Sequence, residues 1–229
     1  MKIFKSLLVL ALLFPLASCG SKSSDNYEDD DDSTATEDAS SSWLGGKERA
    51  DAVDLGLSVL WADRNVGASS PGDYGGYYAW GETSTKSDYS WDTYSHCDGN
   101  WDNCHNIGSN ISGSRYDVAR QAWGGGWKIP TKAQWEELID RCTWTWTTEG
   151  GHSGYKVTGP NGNSIFLPAA GYRGGTSSGG VGIGGGYWSS TLGEGLTYGA
   201  WILVFNSGIH SMNGRYRDYG HTVRPVTEK

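Results

Sequence analysis

Two chemical pairs stand close together in this chain: His96-Cys97 and, seven residues on, Cys104-His105. Thiolate and imidazole are the ligands zinc prefers, but this spacing departs from the common zinc motifs, and two nearby thiols in an exported chain oxidise readily. The expectation is therefore a Cys97–Cys104 disulfide and no metal. Asp98, Asn100 and Asp102 alternate in the same loop as calcium ligands do. The glycine and the distal glutamate of a calcium-binding hand are missing, so a solvated loop is expected. Cys142 is left over as a buried free thiol.

Other reactive patterns fail on chemistry. Residues 180–185, Gly-Val-Gly-Ile-Gly-Gly, match the dinucleotide string G-x-G-x-x-G. No helix follows whose N-terminus could receive a pyrophosphate, so a flexible glycine loop is expected. There is no G-x-S-x-G elbow, and none of His96, His105, His152, His210 and His221 has a pattern suggesting a nucleophile partner. These readings imply no catalytic residue and no cofactor.

One cysteine has a different chemistry. Lys2 and Lys5 precede an apolar run over residues 7–16, which ends in Leu16-Ala17-Ser18-Cys19-Gly20. The run is too short to cross roughly 30 Å of hydrocarbon, and small residues before a cysteine suit cleavage followed by acylation. Residues 1–18 read as a signal peptide and Cys19 as the lipidated residue. Residues 19–42 read as a disordered acidic tether centred on Glu28-Asp29-Asp30-Asp31-Asp32. Acidic residues soon after the lipid cysteine resemble the surface-export signal of some Gram-negative lipoproteins, which implies the outer membrane and the cell surface.

Charge follows this division. Lys2 and Lys5 contribute +2 and residues 21–42 contribute −7, leaving −3 of the total −8 for residue 43 onward. The folded part offers no basic footprint for nucleic acid, and the lipid is its only expected hold on a membrane.

Residues 43–229 have the length of one domain and carry most of the chain's 35 glycines and 12 tryptophans. Each buried aromatic removes on the order of 150–250 Å² from water, so aromatics must build this core. Trp80, Trp123, Trp127, Trp135 and Trp188 are the expected anchors. A helix is predicted after Ser114, with Val118, Ala119, Ala122 and Trp123 on one stripe and a stop at Gly124. A second follows Pro130, opened by the capping box from Thr131 to Gln134, with Trp135, Leu138 and Ile139 as its apolar face. Short strands are predicted over residues 59–63, 76–80, 144–148, 155–158, 164–167, 187–190, 200–205 and 221–226. Asn161-Gly162 is the turn of a hairpin. Helices before irregular strands give an α+β expectation.

Residues 127–138, Trp-Lys-Ile-Pro-Thr-Lys-Ala-Gln-Trp-Glu-Glu-Leu, are similar to the W-R-[LM]-P-T-x-A-E-W-E-x-L signature of C-type-lectin-like domains related to formylglycine-generating enzyme. Residues 54–57, 65–67, 163–172, 187–191 and 220–226 extend the likeness over nearly the whole domain. The chain most resembles surface lipoproteins with FISUMP-type major paralogous domains, some of which are variable proteins of diversity-generating retroelements. This implies a C-type-lectin-like fold with two helices and an irregular Gly/Trp-rich antiparallel sheet. The likeness also implies that a cysteine often stands where Arg64 does, so a family disulfide is missing here. Formylglycine-generating enzymes need two cysteines in the C-terminal half, and none follows Cys142.

In the variable proteins, positions encoded by asparagine-type codons change by adenine mutation. Most of residues 193–219 belong to the permitted set, with Glu194, Trp201 and Met212 as framework. The resemblance thus implies a ligand-binding face built from Tyr198, Ile202, Val204, Ile209, Ser211, Asn213, Arg215, Tyr216, Asp218 and Tyr219. Strand alternation adds that Trp201, Leu203 and Phe205 face the core and Ala200, Ile202 and Val204 the other side. Its partner would be an extracellular protein or glycan. A structural or adhesive envelope component with a fixed partner is the alternative.

Overall fold

The structure, a computed structural model, describes residues 50–195 and 197–229, all within the unit Trp43–Lys229. The signal segment, Cys19, the acidic tether and Leu196 of the permissive segment lie outside the described residues. In chain order the elements are β1 (Ala52–Asp54), β2 (Leu60–Ala62), α1 (Val118–Trp123), α2 (Lys132–Arg141), β3 (Thr143–Glu149), β4 (His152–Thr158) and β5 (Ser164–Pro168). After them come β6 (Tyr172–Gly174), β7 (Ser177–Gly179), β8 (Gly184–Leu192), β9 (Gly199–Asn206), β10 (Ile209–Tyr216) and β11 (Val226–Thr227).

The α+β, C-type-lectin-like expectation is overturned. Among the described residues there are two α-helices, and the regular structure is mostly small antiparallel sheets: β1-β2-β11, β3-β4-β5, β8-β9-β10 and the hairpin β6-β7. The physical reason is composition. Glycine-rich stretches permit many tight turns but few long elements, so indole side chains tie separate small sheets together. Trp188 Nε1 donates to the Tyr78 carbonyl at 2.7 Å, Trp80 Nε1 to that of Ser189 at 2.9 Å, and Trp135 Nε1 to that of Trp188 at 3.2 Å.

Local signals shape both helices. Thr131 and Gln134 form the reciprocal capping box of α2, whose Trp135 and Leu138 are buried. Asp117 caps α1 by accepting from the amides of Ala119 and Arg120, and its other oxygen accepts from those of Gly113 and Ile129. Burial raises this carboxyl's pKa, and the four amide donors oppose the rise. Gly124, with φ of 65°, ends the helix.

Two apolar cores lie on opposite faces of the β8-β9 pair. Trp188, Ala200 and Ile202 enter the core that holds Trp80, Trp123 and Trp127, while Tyr187, Leu203 and Phe205 enter the one that holds Trp61 and Trp135. The five expected anchor tryptophans are therefore all buried. Alternation sorted Leu203 and Phe205 correctly but not Trp201, which is half-buried under the Lys132 ammonium at 4.1 Å.

Two strand expectations and one loop expectation need correction. Residues 76–80 make only a bridge, from Tyr78 to His221. Residues 221–225 are buried without being a continuous strand, because they pair with separate segments: His221 and Thr222 bridge Tyr78 and Tyr187, and the carbonyls of Val223 and Pro225 accept from Val66 and Ala62. The glycine loop is half strand, because Gly184, Gly185 and Gly186 open β8. A Cβ on Gly185 would strike the Phe205 ring, and one on Gly186 the His221 imidazole.

Candidate functional site

The β9-β10 hairpin brings one end of the predicted face together. Its register sets Tyr216 opposite Gly199, so Tyr198 just before β9 and Tyr216 at the end of β10 meet with ring centroids 5.8 Å apart. The chain then turns, and Tyr219 follows Tyr216 at 6.4 Å. Gly174 on β6 lets the Tyr219 ring approach: a Cβ there would sit 3.1 Å from it.

Three further aromatics join from distant segments. Trp101, on a 3-10 turn inside the Cys97–Cys104 loop, packs on Tyr198 at 5.1 Å. Trp91, on another 3-10 turn, meets Tyr216 at 5.8 Å, and Tyr172 of β6 meets Tyr219 at 5.9 Å. The six rings form one continuous ribbon, with Tyr216 50%, Trp101 49% and Tyr172 41% exposed. The other three, Trp91, Tyr198 and Tyr219, are half-buried. Trp91, Trp101 and Tyr172 escaped sequence reading because long-range packing alone unites them. Trp101 gave a partial signal as a lone indole among Asp, Asn and Gly.

Beneath the ribbon the polar groups are poorly satisfied. Arg217 is buried, its guanidinium 4.8 Å over the Trp80 ring. Nε donates to the Tyr94 hydroxyl at 2.8 Å and Nη1 to the carbonyls of Thr197 at 2.7 Å and His105 at 3.3 Å, while Nη2 has no partner among the described residues. Asp218 is buried with Oδ1 unpartnered, and burial pushes its carboxyl up to about 6. Both ring nitrogens of the buried His221 are unpartnered; burial first, then the Arg215 charge, pushes it down to about 3. Buried polar atoms are rarely left unpaired, so three such side chains within residues 217–221 set this place apart.

The remaining predicted residues do not join the ribbon. Ile209, Ser211, Asn213 and Arg215 alternate on the exposed side of β10, with Ile209 about 20 Å along the strand from Tyr216. Val204, opposite Ser211, is half-buried against the first core. Ile202 is fully buried in that core and presents nothing to a ligand. The cause is the double coverage of β9, which period-two reasoning with one solvent face does not anticipate. Of the framework residues, Met212 packs into the second core.

Cys97 and Cys104 are joined in a disulfide, so neither offers a thiolate to a metal. His96 Nε2 meets the Gly81 carbonyl at 3.0 Å and His105 Nε2 meets Asp98 at 2.9 Å. Cys142 is free and half-buried, its thiol pushed up to about 11 by burial. No protein-family model, curated protein or solved structure matches the chain.

Proposed function

We propose that the protein is a lipid-anchored binding protein of the outer membrane, and that the six-ring ribbon takes a glycan chain. The observation that carries this is the ribbon itself: aromatic rings from four separate parts of the chain meet in edge-to-face and tilted contacts, with Trp101, Tyr172 and Tyr216 exposed. Aromatic faces suit the C–H faces of sugar rings. Tyrosine supplies stiff contact area with a polar tip, which suits recognition of a protein loop as well. The likeness of the C-terminal segment to retroelement-diversified proteins supports a face that changes between paralogues. Adenine-specific differences from a neighbouring near-repeat, confined to residues 193–219, are the genetic sign of it.

An array of glycans and proteins probed with the full chain tests the reading. Capture of a saccharide by the parent and not by Tyr216→Ala is the expected result. Capture of a protein alone would replace the glycan, and capture unaffected by Tyr216→Ala would remove the ribbon from the site. For the anchor, Cys19→Ala is expected to move the chain from the membrane fraction to the soluble one.

A further inference from the structure

β3 is an edge strand with one neighbour. Its register ties Thr143–Glu149 to β4, and among the described residues none of its backbone groups bonds to any other segment. The N–H and C=O groups on its free side therefore form a template for another strand. Natural edges are blunted by charge, proline or a bulge. Residues 143–148 contain no charge, proline or glycine, and their pairing with β4 runs without a shift. Thr143, Thr145 and Thr148 are exposed, and Trp144 and Trp146 are half-buried. The other long edge, β10, is weakened by Gly214 and carries the exposed charge of Arg215.

We propose that β3 pairs with β3 of a second copy of this chain, antiparallel about a two-fold axis at Thr145, so that two three-stranded sheets join into one. The occupant is a second copy because the strand is complementary to itself in that register. Thr145 lies opposite the partner's Thr145, Thr143 opposite the partner's Thr147, and Trp144 opposite the partner's Trp146. Threonines thus meet on one face and indoles on the other, both favourable cross-strand pairs. At each end Glu149 comes toward the partner's Arg141; Arg141 is exposed and bonds Glu137 through Nη1 alone. No like charges fall opposite each other in this register. The shared ladder is short, so the interface is small and the dimer weak. Nothing in the pairing depends on what the ribbon binds.

Sedimentation velocity of the purified full chain in non-ionic detergent tests it. A monomer–dimer equilibrium with Kd of about 100 µM or tighter is expected. Lys156 of β4 stands opposite Thr145 within the chain's own sheet. Thr145→Glu therefore gives the fold a cross-strand ion pair while the two-fold axis sets glutamate against glutamate. It is expected to weaken association at least about tenfold, with a melting temperature within a few degrees of the parent. Thr145→Lys is expected to weaken it as well, and an equimolar mixture of the two variants to recover a heterodimer. A parent that stays monomeric up to about 1 mM overturns the proposal, as does association that Thr145→Glu leaves unchanged. Two weakened variants whose mixture stays monomeric overturn the register at Thr145. Association lost in Asn213→Glu instead would move the pairing to β10 and overturn the assignment to β3.

Discussion

Two buried arginines seven positions apart in the same C-terminal segment are treated in opposite ways. Arg224 is fully enclosed and every nitrogen has a partner: Nε gives to Asn65 Oδ1 at 2.8 Å, Nη1 to the carbonyls of Ala62 and Asp63, and Nη2 to that of Phe166 at 2.8 Å. Burial lowers its pKa to about 10, still far above neutral pH, so it stays charged. Arg217 lies as deep, yet one of its nitrogens has no partner among the described residues, and its neighbours Asp218 and His221 are also short of partners. Satisfied groups hold a frame in one arrangement, and unsatisfied ones cost the fold part of the stability that burial supplies. The region around Arg224 is architecture. The region around Arg217 is the less satisfied of the two.

The sharpest way to break this contrast is to remove each arginine in turn. Arg224→Met leaves four buried oxygens without their donor, and urea unfolding is expected to show a loss of about 3 kcal/mol or more. Arg217→Met removes a cation whose bonds are incomplete, and its loss is expected to be about 1 kcal/mol or less. Equal losses would mean that Arg217 is as structural as Arg224.

His221 sharpens the contrast through pH. Its folded pKa, about 3, lies below the usual histidine value, so the unfolded chain takes up a proton first. Stability is therefore expected to fall as pH drops from about 6.5 toward 3, by at most roughly 1.4 kcal/mol per unit. His221→Phe should flatten that slope in thermal melts at stepped pH. A difference between parent and His221→Phe that does not change with pH over this window would contradict the burial of an unpaired imidazole.

Asp218 acts with the opposite sign and a smaller reach. Its carboxyl titrates near 6 when folded and lower when unfolded, so its ionisation costs stability as pH rises through about 4 to 6. Asp218→Asn is expected to stabilise the protein at pH 7 and to change nothing at pH 4. Destabilisation at pH 7 would show that the carboxylate has a partner.

The sequence carried some of this in plain local signals. The Thr131–Gln134 capping box, the Gly124 stop and the Asn161-Gly162 turn between β4 and β5 each encode a short-range geometry, and each is present. The joined Cys97 and Cys104 were legible from spacing and expected compartment. Long-range facts were not. β10 reads as a loop because its Ser, Asn, Gly and Arg lie on an edge strand whose outward side is wet. Ile202 reads as half-exposed because β9 is covered by a core on each face, and the one that holds Trp80 and Trp188 has no mark in the strand's own residues. For the same reason Tyr198, Tyr216 and Tyr219 could be singled out, while Trp91, Trp101 and Tyr172 could not.

The central claim is that the ribbon is surface kept for a ligand, and one double variant tests it most directly. Trp101→Ala with Tyr216→Ala removes two of its most exposed rings, and the account predicts a melting temperature within a few degrees of the parent together with at least about a tenfold loss of affinity for the captured glycan. Cooperative unfolding at a much lower temperature would contradict it by making those rings part of the core, and so would unchanged affinity.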